Sequence, residues 1–316
     1  MRQERFERAH RAEWDAFEAM LAPGPNAGAD QLPQAYRRIC QHLALARDRC
    51  YTAGLVTRLN GLVMAGHQSL YGSTLGLGPL WGRFIAYGLA RSVRALAGPV
   101  LVAALLLGLP MAILPPAIAR DPQLAYLVER PQDLARMESM YRPASGRFGR
   151  ANQAQTDVAM FGFYIWNNIR ITFQAFAGGI LLGLGSIFFL LYNGLHGGAV
   201  AGHLAHAGLG PQFWPFVATH SALELPALVL AGGAGLHLGW ALLAPGRRTR
   251  ARALREAARE GMPLVYGAAV MDTLAACIEA FWSASALVPA ALKLGAGALL
   301  WAAVAGYFLF AGRRRA

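Results

Sequence analysis

The chain has 316 residues, of which 55% are hydrophobic and only 15% charged, and its mean hydropathy is +0.34. That balance excludes an ordinary water-soluble domain of this length and predicts an all-α, polytopic membrane bundle with a modest soluble part. The net charge is +12, carried almost wholly by arginine, with Lys293 the only lysine. The arginines flank apolar runs, which suits anionic lipid headgroups, and no recognition motif for nucleic acid accompanies them.

In chain order, the start is charged and helical in pattern, with no apolar segment behind it, so insertion is expected to use internal spans. Phe6, His10, Trp14, Phe17 and Leu21 recur at helical spacing. Pro23 to Gly28 should end that helix, and further helices are expected over 32–50 and 53–70. A glycine-rich break is expected over 72–79. Trp81, Phe84, Ile85, Leu89, Val93 and Leu96 then alternate with Arg83, Arg91 and Arg94, the pattern of an amphipathic helix on a membrane surface. Residues 1–95 are therefore assigned to a cytoplasmic helical region and 96–316 to a transmembrane domain.

About 20 apolar residues cross the hydrocarbon core. Spans are expected at 96–118, in an over-long run at 161–192, at 194–208 as a full span or a half-helix, and at 219–243, 263–287 and 289–310. Twelve arginines lie in residues 1–95 and six in 246–261, and Arg313, Arg314 and Arg315 close the chain. The positive-inside rule puts all three segments in the cytoplasm, with 120–157 outside and six crossings between. Cys40, Cys50 and Cys277 lack metal-type spacing, and Cys277 reads as a small packing residue in a span.

Charges inside apolar runs are the functional candidates, because each costs about 3 kcal/mol or more unless paired or hydrated. His220 and Glu224 share a helix face, as do Asp272 and Glu279; Asn167, Arg170 and Gln174 make a third polar stripe. Glu224, Glu279, Arg170 and Lys293 are expected to converge in the outer half of the membrane, with Asp272 nearer the middle. One reading is a structural network in which Arg170 or Lys293 neutralises Glu224 or Glu279. Another is a ligand pocket, and a third a metal site on His220, Glu224 and Glu279. The structural or ligand-pocket network is preferred, the cofactor is left open, and no catalytic residue is assigned. Spacings of Gly179 with Gly183, of Gly194 with Gly198 and Gly202, and of Gly235 with Gly239 suit close helix approach. Internal packing is the favoured use, a homodimer interface the other.

Four segments stand out together: Phe163-Tyr-Ile-Trp-Asn-Asn-Ile-Arg170, the glycine-rich run to Leu191-Tyr-Asn-Gly194, Phe216-Val-Ala-Thr-His-Ser-Ala-Leu-Glu-Leu-Pro226 and Ile278-Glu-Ala-Phe-Trp282. With them the chain resembles the stage II sporulation protein M family. Ser221 stands where the family pattern has glycine. The resemblance implies an integral membrane subunit of a peptidoglycan-remodelling complex whose partners carry the chemistry. A scaffold of the bacterial inner membrane without chemistry of its own is therefore expected, in contact with membrane lipids and protein partners of an envelope complex. A transporter or binder of an envelope lipid or ion, and an intramembrane metal-dependent hydrolase, are the alternatives.

Overall fold

The computed structural model describes residues 3–21, 31–71, 77–142, 157–285 and 287–313. The expected turn over Pro23 to Gly28, most of the glycine-rich break after Tyr71, and Arg314 and Arg315 lie outside them. Every regular element among the described residues is helical. The chain divides into two compact units, Met1–Trp81 and Gly82–Ala316.

In the first unit, α1 (Gln3–Leu21), α2 (Leu32–Asp48) and α3 (Ala53–Tyr71) form a bundle. Phe6, Trp14 and Phe17 from α1 meet Ile39, Leu43 and Ala46 from α2 and Leu55, Leu59 and Leu62 from α3. The 3.6-residue period of the apolar positions puts one stripe of each helix inward. The expected break does not extend to Pro79, because α4 runs from Leu77 to Arg83.

The second unit begins with a π-helical turn, Phe84–Gly88, and α5 (Leu89–Ala95). Leu89 packs on α12 (Arg250–Cys277), beside Gly267. Arg94 donates to the carbonyl of Phe308 at 2.9 Å, and Arg91 to that of Gly312 at 3.2 Å. The arginine face of the amphipathic stretch thus caps the carbonyl end of α13 (Ala290–Phe310), where the helix dipole favours cations.

The remaining helices are α6 (Ala97–Arg120), α7 (Leu124–Val128), α8 (Pro131–Tyr141), α9 (Asp157–Ala177), α10 (Leu184–His206) and α11 (Gly210–Leu243). Helix α11 is the hub, packed against α6, α9, α10, α12 and α13. Among the described residues, five helices are long and apolar enough to cross a membrane: α6, α10, α11, α12 with its extension to Ser283, and α13. Leu101, Leu105, Leu109 and Ile113 on α6 and Leu299 on α13 are exposed, as suits lipid-facing surfaces in a multi-pass membrane protein.

The expected span at 161–192 is corrected: the run breaks at Gly178–Ile180 and the turn after it, where Leu182 and Gly183 have φ of 55° and 87°. Glycine takes that left-handed conformation without strain, and the chain reverses there. The expected separate segment at 194–208 is corrected too, since it is the second half of α10. The glycine faces are used internally. A Cβ at Gly198 would lie 2.8 Å from the Pro110 carbonyl oxygen and one at Gly202 3.0 Å from Pro115 Cα, so α10 rests directly on α6. Gly179 and Gly183 likewise meet Gly235 and Gly239 of α11. Cys277, expected to pack, lies on an exposed face of α12.

Candidate functional site

Helix α11 carries His220 and Glu224 one turn apart. At the end of α12 the helix widens into a π-helical stretch, Ile278–Ser283, closed by a bond from the Ala284 amide to the Glu279 carbonyl at 3.2 Å. A wider turn changes which side chains share a face, and such turns recur at functional sites. Here it presents both Glu279 and Ser283 to α11. One donor atom each from His220, Glu224 and Glu279 lie within 4.8 Å of one another. The His220 Nε2 to Glu224 Oε2 distance is 4.0 Å.

The other ring nitrogen sets the histidine's tautomer. His220 Nδ1 is 3.0 Å from Ser283 Oγ, and the Phe216 carbonyl one turn back is a further acceptor for the ring. In the Nδ1–H tautomer these oxygens accept the ring proton and the Nε2 lone pair lies on the carboxylate side; in the other tautomer the Ser283 hydroxyl donates to Nδ1. Ser283 also ties in the cation. Lys293 is buried, and its ammonium donates to the carbonyls of Ser283 at 2.8 Å and Ser285 at 2.7 Å. The Thr219 hydroxyl in turn donates to the Lys293 carbonyl at 3.0 Å. Lys293, Ser283, His220 and Glu224 therefore form one connected chain across α13, α12 and α11.

Asp272 lies on α12 and is fully buried, at 0% exposure. Thr172 and Glu224 are near enough to act on its charge, yet no hydrogen bond of good geometry from a described residue satisfies either carboxylate oxygen. A cavity of about 290 Å³ opens beside this cluster. His220, Ser221, Glu224, Asn168, Thr172 and Asn193 supply its polar side, and Leu107, Met111, Ile171, Trp214 and Leu228 are among its apolar walls. Asn168 is 3% exposed; its Oδ1 accepts from Asn167 at 3.2 Å, but its Nδ2 has no acceptor among the described residues.

Of the residues singled out in the sequence, His220, Glu224, Glu279, Asp272 and Lys293 come together here. Asn167 touches the group only through Asn168, and Gln174 is half-buried on α9. Arg170 is not part of it: its side chain is exposed and stacks on Trp166, 4.7 Å from the ring centroid. The expected partnership of Arg170 with a buried carboxylate is thus corrected, because its position on α9 turns it outward. Ser283, Asn168 and Thr172 were missed. None of them carries a charge, and a search for charges in apolar runs passes over them.

Other histidines have separate tasks. His196 and His203, two turns apart on α10, meet Glu129 at 2.7 Å and Glu138 at 2.9 Å. These contacts strap the 124–141 segment to α10. In the first unit, His10, Glu13 and His42 form a second group with donor atoms within 4.8 Å. His10 was read there only as part of an apolar stripe.

Two family models match the chain: Stage II sporulation protein M over residues 84–284, and a domain of unknown function, DUF8413, over residues 4–72. The first covers more than half of the sequence, and the chain belongs to the stage II sporulation protein M family. No curated protein and no solved structure is a match for it.

Proposed function

We propose that this member of the stage II sporulation protein M family is a non-enzymatic binding subunit of the bacterial inner membrane, whose bundle receives the polar end of an amphipathic envelope lipid. The cavity of about 290 Å³ carries this reading. Its size suits a headgroup fragment with its first methylenes, not a whole lipid. Its walls are apolar, while Asn168 offers an amide donor without an acceptor at the polar side. A buried donor without a partner costs about 1–3 kcal/mol, and a ligand oxygen would recover that.

Family membership favours a second, compatible reading, a scaffold role in a peptidoglycan-remodelling complex whose enzymes are its partners. Both readings place residues 3–71 and the 246–261 arginines in the cytoplasm, by the positive-inside rule. Both termini on that side require α9 to cross the membrane along with the five more apolar helices. Labelling of cysteines introduced at Ser139 and Arg250 checks this: the first should react from outside and the second should not.

The lipid reading is tested by native mass spectrometry of the full chain in mild detergent. Ile171→Trp fills the cavity from α9. Wild type should retain a bound lipid that the variant loses at unchanged thermal stability. Equal retention would leave the scaffold reading alone.

A further inference from the structure

We infer that His220, Glu224 and Glu279 bind a divalent metal ion of the zinc class inside the transmembrane bundle. The inference goes beyond the lipid reading and does not depend on it.

Three donors of the right kind are already gathered. Tetrahedral zinc holds N and O ligands at about 2.0–2.2 Å, which separates the ligand atoms from one another by about 3.3 Å. The three donor atoms lie within 4.8 Å of one another, so small side-chain rotations bring them onto one ion. One imidazole and two carboxylates form an N/O set that suits zinc better than softer or purely oxygen-seeking ions.

The histidine is prepared for the task. A metal-binding imidazole needs a bare nitrogen toward the ion and usually donates its other N–H to an oxygen. His220 meets both conditions in its Nδ1–H tautomer, with Nδ1 on Ser283 Oγ at 3.0 Å and Nε2 turned toward Glu224. Lys293 holds the Ser283 carbonyl, fixing the residue that orients the ring.

Charge points the same way. A dication between two carboxylates carries charge opposite to both. Independently of these donors, Asp272 is 0% exposed, and no hydrogen bond of good geometry from a described residue satisfies either carboxylate oxygen. It stands two turns before Glu279 on α12 and close to Glu224. His220 and Glu224 also wall the cavity, so a fourth coordination position faces open space, as in sites that keep a place for a water or a ligand.

The test uses the full chain in detergent, stripped with chelator and reloaded with zinc or cobalt alone. Wild type should take up one equivalent of zinc, and tetrahedral cobalt should give visible absorption bands. His220→Ala and Glu279→Gln should each weaken zinc binding more than about tenfold. His196→Ala, which alters the separate pair with Glu129, should leave it unchanged. If an alanine variant fails to fold, His220→Cys decides: it keeps a ligand and should add a thiolate-to-cobalt charge-transfer band. Substoichiometric zinc in wild type, zinc retained in His220→Ala, or no new band in a folded His220→Cys would each overturn the inference. Lipid retention measured in the same samples shows whether the lipid reading stands apart from it.

Discussion

The two units of the chain each gather histidine and glutamate within the same 4.8 Å, yet the two groups are built for different ends. In the transmembrane unit, His220 Nδ1 faces the Ser283 hydroxyl oxygen, which can accept its proton, and that tautomer leaves Nε2 bare. In the N-terminal bundle the arrangement is reversed. The indole Nε1–H of Trp14 donates to His42 Nδ1 at 3.1 Å, so in the neutral ring the proton resides on Nε2. One nitrogen of His42 is occupied and the other is protonated, and neither is ready for a metal. The rings of His10 and His42 lie 4.1 Å apart, and Glu13 is exposed. Water can hydrate this group from the surface, whereas the transmembrane one opens onto a cavity within the bundle. Proximity of ligand-type residues is therefore a poor guide to a metal site, and the partner of the second ring nitrogen is a better one.

The largest contrast is expected at the cations. Lys293 is buried and makes two charge-assisted bonds to carbonyls, whereas Arg58 pairs with Asp15 at 2.8 Å with its side chain 38% exposed. Lys293→Ala leaves two carbonyls uncapped and should cost about 3 kcal/mol or more. Arg58→Ala loses a solvent-screened pair and should cost less than about 1 kcal/mol. Thermal unfolding of both variants in detergent checks this, and similar costs would mean that Lys293 is hydrated.

Much of this contrast was legible in the sequence. A charge within an apolar run has few explanations, so His220, Glu224, Asp272, Glu279 and Lys293 stood out and do converge. The membrane class and the helices of the first unit followed from composition and period. What stayed hidden depends on backbone geometry or on uncharged side chains. The run from Phe161 to Tyr192 is apolar throughout its later part, and nothing in its hydropathy marks the reversal at Gly183. The π-helical widening over Ile278–Ser283 has no composition of its own, and Ser283, four residues after Glu279, carries no charge to mark it. Helical spacing grouped Arg170 with Asn167 and Gln174, but spacing names a face without saying what that face meets. His42 could not be linked to His10 before α2 was packed on α1.

The next contrast is between the two residues that set the tautomers. Ser283→Ala removes the oxygen that holds the Nδ1 proton of His220 and should weaken zinc binding about tenfold, with all three ligands in place. Competition with a chelating dye measures this. Unchanged affinity would show that the Phe216 carbonyl alone orients the ring.

Trp14→Phe is the counterpart in the soluble bundle. It keeps most of the buried ring and deletes the indole donor. Loss of one neutral hydrogen bond should cost about 1 kcal/mol. It also frees His42 Nδ1 to carry the proton and Nε2 to accept, so a weak second zinc equivalent should appear, held by His10, Glu13 and His42. A variant that stays at one equivalent would show that proximity and tautomer together are still insufficient in this hydrated group.

The smallest effect expected is one of pH, confined to the first unit. Burial holds the pKa of His42 below the ordinary histidine value, and His10 and Arg38 push it the same way while Glu13 opposes them. In the unfolded chain the ring titrates near 6.5, so on acidification the unfolded state takes up the proton first. The stability that comes from keeping His42 neutral is complete above about pH 6.5 and falls as the pH drops from there toward the lower folded value. Each pH unit within that window costs at most about 1.4 kcal/mol. Amide exchange in α2 of the full chain, followed from pH 7.5 to 5.5, should show falling protection. His42→Gln keeps an acceptor for Trp14 but does not titrate, and its profile should be flatter. An equal slope in His42→Gln would remove His42 from the account.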